Sequence, residues 1–292
     1  MSSIDLLAKL NQDYKKLSKG QKKIATYILE NYDKAAFVTA SKMGHAVGVS
    51  ESTVVRFAYS LGFNGYPEMQ RALQELIRNR LTTAQRIQLT SEIESNDILK
   101  SVLKADINNL RSTMESIDYN AFSLAAEAIL NAEHVYIIGL RSSYPLSLFF
   151  SYYLSNIIEN VKTVSVEMRE VDEQLFNIGE NDLCIGISFI RYSKRTAEGM
   201  MYAKSKGAHL VAITDSRSSP IAEISDCSLV AKCDMVSFPD SLVAPLSLIN
   251  ALIAAVGMRK KEMISNRFEQ LEGIWGIKQV YMTPGAAADI QK

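Results

Sequence analysis

At 292 residues the chain is too long for one ordinary domain and suits two, each large enough to bury its own core. A composition that is 47% hydrophobic and 22% charged excludes an intrinsically disordered protein, and no run of 18 consecutive apolar residues offers a membrane span. The zero net charge hides an asymmetry: residues 1–90 hold 13 Lys and Arg against 7 Asp and Glu, and the remainder 19 against 25.

A basic front on an acidic body is a weak footprint of nucleic-acid binding, because phosphate neutralisation supplies most non-specific affinity. The opening MSSIDLLAKLNQDYKKL has a charge every few residues and lacks the apolar core of a secretory signal, which predicts a cytoplasmic protein. Apolar residues then recur at helical spacing, as Leu6, Leu7 and Leu10 and again as Ile24, Tyr27 and Ile28, with no strand-like run before residue 80. Residues 1–81 therefore read as an all-α domain.

Within it, TASKMGHAVGVSESTVVRFAYSLGF (39–63) predicts one helix to Val47, a turn at Gly48 and Val49, and a second helix capped by Ser50. Ala40, Met43 and Ala46 or Val47 share one face, Gly48 permits the sharp turn, and Val54, Phe57 and Leu61 pack the second helix inward. Ser50, Glu51, Ser52, Thr53 and Arg56 are left at its outer, amino-terminal side. Short polar side chains with an arginine one turn on suit entry into a DNA major groove. A helical hairpin with a serine cap is the plainer alternative, and His45 reads as a surface histidine. LSKGQKKIATYILEN, this segment and LGFNGYPEMQRAL together resemble the amino-terminal domain of the RpiR family of bacterial sugar-metabolism regulators. The resemblance implies that SESTVVRFAYSLG is a recognition helix reading double-stranded operator DNA.

Residues 82–96 are polar and read as a linker, followed by a helix over roughly 96–131 whose register includes Ile98, Val102, Ile107 and Leu110. Beyond 133 five β-rich runs alternate with helical segments: VYIIGL (135–140), KTVSVE (162–167), DLCIGISF (182–189), HLVAITD (209–215) and CSLVAK (227–232). This alternation predicts a doubly wound, five-stranded parallel sheet, so the fold class is α/β with a separate all-α domain. An apolar helix at roughly 240–265 should close the second domain at 275, with residues 276–292 a loose tail. Its run LVAPLSLINALIAAV (242–256) is more apolar than one buried stripe needs, which suggests that part of it forms a homodimer or tetramer interface. Cys184, Cys227 and Cys233 are odd in number and lack CxxC spacing, so they read as core thiols; neither a metal nor a cofactor is expected.

Open parallel sheets bind ligands beyond the carboxyl ends of their strands. There lie Gly139, Arg141, Ser142 and Ser143 after the first run, Ser188, Arg191 and Ser193 after the third, and Thr214 at the end of the fourth. Hydroxyls beside helix amino termini form an anion site, although each serine taken singly is equally explained as a helix cap. Residues 97–265 resemble the sugar isomerase (SIS) domain, in which a Gly-x-Gly-x-Ser turn and a Ser-x-Ser-Gly-x-Thr turn hold a phosphosugar. Gly139 and Ser143 match the first turn, and Ser188 and Ser193 the ends of the second. Arg141 and Arg191 stand where the pattern has glycines and Ile190 where it has serine, so a small sugar or phosphosugar effector is implied while its phosphate is left open.

The alternative is a phosphosugar isomerase or lyase with an accessory helical domain. Isomerisation needs a positioned base. His134 and His209 precede strands and belong at the opposite edge of the sheet, and His45 is in the other domain. Glu167, Glu170, Asp172 and Glu173 follow the second strand, where acidic residues also favour a helix amino terminus. A nucleotide-binding module is disfavoured because neither GxGxxG nor a Walker A sequence is present.

Overall fold

Helical spacing in the first 80 residues produces helices throughout that part of the chain. The computed structural model describes residues 13–80, 97–165, 169–236 and 238–281, together with Leu6, Leu10 and Ile87. It divides into two units, Met1–Ile93 and Glu94–Lys292; apart from Ile87, the segment expected to be a linker lies outside the described residues.

The first unit contains α1 (Lys19–Glu30), α2 (Tyr32–Ala35), α3 (Ala40–Val47), α4 (Glu51–Ser60) and α5 (Tyr66–Arg80). Ser18 and Gln21 start α1 with a reciprocal capping box. Leu6, Leu10, Ile24, Ile28, Met43, Val54, Phe57, Leu61, Met69 and Leu73 form one core. Tyr66 donates from its hydroxyl to the Val38 carbonyl at 2.6 Å, and Gln70 donates to the same oxygen at 2.9 Å, which ties α5 to the segment before α3. Burial pushes the Tyr66 phenol up to about 12.

The second unit is a sheet of five parallel strands in the order β2-β1-β3-β4-β5, with β1 at Val135–Ile138, β2 at Val161–Val164, β3 at Leu183–Ile187, β4 at His209–Thr214 and β5 at Cys227–Val230. Side chains alternate across it. Ile137, Ile185, Val211 and Ile213 pack on one face with α7 (Tyr119–Asn131), α8 (Tyr144–Ser155) and α12 (Val243–Arg259). Tyr136, Ile138, Cys184, Leu210 and Ala212 pack on the other with α9 (Val171–Gln174), α10 (Lys194–Ser205) and α11 (Pro220–Ile224). Cys184 and Cys233 are buried and none of the three cysteines is in a disulfide; burial pushes the Cys184 thiol up to about 12, so it stays a neutral core side chain.

Three expectations change. The helix expected over 96–131 is two, α6 (Ile98–Ser116) and α7, because Ile117 is extended and the Asp118 carboxylate accepts the Asn120 and Ala121 amides, each at 3.1 Å, to cap a new helix. The closing helix likewise ends at Arg259, where the chain bends by 101° into α13 (Lys261–Lys278). Residues 276–278 are thus helical and not part of a loose tail, while 282–292 lie outside the described residues. Third, the apolar run of α12 is mostly used within its own unit: Ala244, Pro245, Leu248, Ile249, Leu252 and Val256 are all buried. Among the described residues no single helix is long and apolar enough to cross a membrane.

Among the described residues, α6 is one of the elements that leave apolar surface exposed. Its Leu99, Leu103, Ile107, Leu110 and Met114 are 36–70% exposed, whereas Asn109 and Thr113 are its buried residues. Asn109 pairs with the backbone of Asp234, donating to its carbonyl at 2.8 Å and accepting its amide at 3.0 Å; Thr113 accepts the Lys232 amide at 2.8 Å. A polar face therefore attaches this helix to the chain after β5. Asn109→Ala should cost about 1 kcal/mol, since it removes both hydrogen bonds from the buried Asn109 side chain to the Asp234 backbone. A urea midpoint within error of wild type would show that α6 is held otherwise.

Candidate functional site

Two places concentrate the residues singled out above. In the first unit, α3 ends at Gly48, whose left-handed backbone (φ 68°) returns its amide to the Gly44 and His45 carbonyls. The chain then re-enters helix at once. Ser50 caps α4 by accepting the Thr53 amide at 3.3 Å, and its hydroxyl also meets those of Ser52 at 2.9 Å and Thr53 at 2.8 Å. Glu51, Ser52 and Arg56 are exposed on the same end of α4. Thr53 is only half exposed, since it lies over Gly20 of α1. The Arg56 guanidinium lies back along its helix, donating to the Ser52 carbonyl at 3.3 Å.

Gly44 was not singled out by sequence reasoning, yet it decides how closely the two helices meet. A Cβ there would lie 2.8 Å from the Val49 carbonyl oxygen and 3.3 Å from the Glu51 amide nitrogen. Both are backbone atoms that cannot rotate aside. The available signal was a small residue one turn before Gly48, which in a sequence looks like any helical glycine.

In the second unit β1 and β3 are neighbours, Ile138 pairing with Gly186, so the turns that follow them begin side by side at the carboxyl edge. After β1 the chain passes Gly139 and Leu140 into a 3-10 turn, Arg141–Ser143, that runs directly into α8. Arg141 holds a left-handed backbone (φ 58°), a region that favours glycine. Ser142 is exposed; Ser143 is buried, and neither caps α8. Gly139 is explained by packing: a Cβ would collide with Ser147 and reach within 3.0 Å of Ile187, so the close approach there is between protein groups.

After β3, Ser188 still donates its amide to the ladder, at 3.1 Å from the Ile213 carbonyl. Its hydroxyl accepts the Ser193 amide at 3.1 Å, and the Ser193 hydroxyl accepts the Thr196 amide at 3.3 Å. The two serines close the intervening loop and cap α10, with Arg191 exposed upon it. In the first turn of α10 the Thr196 hydroxyl is buried without a hydrogen-bond partner. Thr214 is fully buried at the end of β4 and donates to its neighbour Asp215 at 3.3 Å. The carboxyl edge thus joins oriented amides, small hydroxyls and two guanidinium groups, which can bind an anion carrying a polyol.

The histidines of this unit are elsewhere. His134 is at the amino edge, 2.9 Å from the buried Asp182 carboxylate. That carboxylate also accepts the His134 amide at 3.1 Å and the Gly179 amide at 2.8 Å. Although Glu133, His134 and Asp182 bring three potential metal-ligand atoms within 4.8 Å of one another, Asp182 is engaged by these donors and clasps the starts of β1 and β3. His209 begins β4 at that same edge. Glu170, Asp172 and Glu173 are exposed at the start of α9, and Glu167 lies outside the described residues.

This geometry coincides with two family models. The rpiR-family helix-turn-helix domain matches residues 4–80, and the SIS domain matches residues 128–255. The chain belongs to the RpiR family of helix-turn-helix transcriptional regulators. It is 25% identical over 269 residues to the regulator HexR of Pseudomonas aeruginosa, covering 88% of this chain and 90% of that one. The sugar isomerase domain of an RpiR transcription factor from Sphaerobacter thermophilus is 28% identical, with a TM-score of 0.58 over 60% of this chain and 98% of its own. NanR of Vibrio vulnificus, solved in complex with ManNAc-6P, has the same fold at 21% identity, with a TM-score of 0.57 over 92% of this chain and 97% of its own.

For an RpiR-type regulator the α3–α4 angle is the first thing to protect. Gly44→Ala should destabilise the first unit by about 2 kcal/mol through backbone overpacking. Thermal unfolding of the first unit followed by circular dichroism checks it; an unchanged Tm would mean that α4 can shift without cost.

Proposed function

We propose that this RpiR-type regulator binds operator DNA through α4 and changes its operator affinity when a sugar-like, phosphorylated effector occupies the carboxyl edge of the SIS-type sheet. Ser50, Glu51, Ser52, Thr53 and Arg56 are the proposed DNA-facing residues; Arg141, Ser142, Ser143, Ser188, Arg191, Ser193 and Thr214 line the proposed effector site, with Gly139 shaping its turn. The observation that carries the reading is one chain bearing both a capped, outward-facing helix amino terminus with Arg56 and a carboxyl edge built of serine turns. That NanR was solved with ManNAc-6P supports a phosphosugar as the effector class here. Sensing is favoured over catalysis because His134 and His209 are at the amino edge, away from the serine turns. A protein with this role works in the cytoplasm, where its DNA is.

We further infer that the working form is a dimer or tetramer. One helix-turn-helix reads too few base pairs for a useful specificity ratio, and such modules bind paired half-sites. The interface is assigned to α6 in place of α12. Five large apolar side chains of α6 that remain in water would contribute on the order of 10 kcal/mol if buried against a second copy.

Titrating a genomic operator fragment tests the regulatory reading. Arg56→Ala should weaken specific binding by roughly 1–3 kcal/mol if the guanidinium contacts a base edge. Ser143→Ala should keep operator affinity and lose the response to phosphosugars, because an effector acts only through unequal binding to two states. A wild-type response surviving in Ser143→Ala would move the effector elsewhere. Light scattering of Leu103→Glu/Ile107→Glu should give a monomer where wild type gives an oligomer, and equal masses would return the interface to another surface.

A further inference from the structure

The last helix of the second unit, α13, is attached to it at one end only. None of its 18 residues is buried, although a lone helix of that length is marginal in water. Ile264, Phe268, Leu271 and Trp275 recur at alternating intervals of four and three, so an apolar stripe runs along it. The near end of the stripe faces a cleft of about 510 Å³, which Ile264 and Phe268 line together with Tyr153 and Ile157 at the end of α8 and Ile253 and Met258 of α12. That is room for about three benzene-sized groups, at roughly 150 Å³ each.

The far end of α13 is an apolar knob. Ile274, Ile277, Val280 and Tyr281 are 49–87% exposed. Its shape is fixed: Gln279 turns left-handed (φ 48°), the Val280 amide donates to the Trp275 carbonyl at 3.0 Å, and the Tyr281 ring stands edge-on to Trp275 at 5.4 Å. Ile277 is about 20 Å along the helix from Ile264, so a knob cannot reach the cleft of its own copy while α13 stays helical. Charge is complementary too, with Lys261 lining the cleft and Glu269 and Glu272 exposed on the arm that carries the knob.

We propose that the cleft of one copy receives the Ile277–Tyr281 knob of a second copy, and the second cleft the knob of the first. This rests on the reading above that the chain self-associates. A seat for a few side chains is smaller than the roughly 800 Å² per partner of a standard interface, so the exchange acts beside the α6 contact and not in its place. Being reciprocal, it closes on itself and does not grow into a fibre.

Sedimentation of the full chain over a dilution series tests it. Ile277→Glu in the knob and Met258→Glu at the cleft alter side chains that are 87% and 80% exposed, so both variants should fold, and circular dichroism checks that they do. Each should weaken association at least tenfold, as apolar contacts are lost from two seats. An equal mixture of the two keeps one intact knob for one intact cleft and should associate more tightly than either variant alone. Trp275 is the only tryptophan of the chain, and its emission should move to longer wavelength as the copies separate. Either variant associating like wild type, a mixture no tighter than its parts, or a Trp275 emission that ignores dissociation overturns the exchange and leaves the α6 interface standing. Weakening in the exchange variants but not in Leu103→Glu/Ile107→Glu overturns the α6 assignment and supports the exchange. Wild type monomeric at every concentration overturns both.

Discussion

Parallel pairing of β1 with β3 is the constraint from which the rest of the second unit follows. In a parallel pair each strand must be followed by a crossover, so every strand-to-helix turn falls on one edge and every helix-to-strand return on the other. Serine turns, arginines and helix amino termini thereby gather at the carboxyl edge although they are far apart in sequence. Histidines and the Asp182 clasp gather at the amino edge by the same rule. The clasp matters to the site although remote from it, because it aligns the starts of the two strands whose ends carry the turns.

Serine in these turns does two jobs that need separating. Ser188 and Ser193 are committed to backbone amides and give the loop its shape, so their removal would deform the site as well as strip it of donors. Ser143 is buried without a capping role, and Thr196 has a buried hydroxyl without a partner. The Thr196 hydroxyl carries a desolvation cost that a bound ligand would relieve. Such groups are more informative about ligand binding than the caps are.

The helix α6 inverts the usual arrangement, with asparagine and threonine inward and leucine, isoleucine and methionine outward. Hydrogen bonds fix its position and register on the chain after β5, while its apolar face stays exposed, which is the surface proposed above for self-association. In the first unit the division is simpler: apolar residues of α1, α3, α4 and α5 share one core, and the polar end of α4 is left to solvent.

Much of this was legible in the sequence because it depends on local chemistry. Apolar periodicity of 3.6 against short β-rich runs separated the helical part from the parallel sheet, Gly48 and Ser50 marked the turn and cap, and the strand ends pointed to Arg141, Ser143, Ser188 and Arg191. What depends on distance in space was not legible. Asp118 ending one helix and beginning another, and α12 being consumed by its own core, follow from which surfaces meet. The same is true of Gly44 lying under the Val49 carbonyl and of Gly139 against Ser147 and Ile187. An apolar stripe in a sequence states only that burial is favourable. Whether a helix buries that stripe or its polar side is decided by the partners that tertiary structure brings to it, which for α6 are the backbone groups of Lys232 and Asp234.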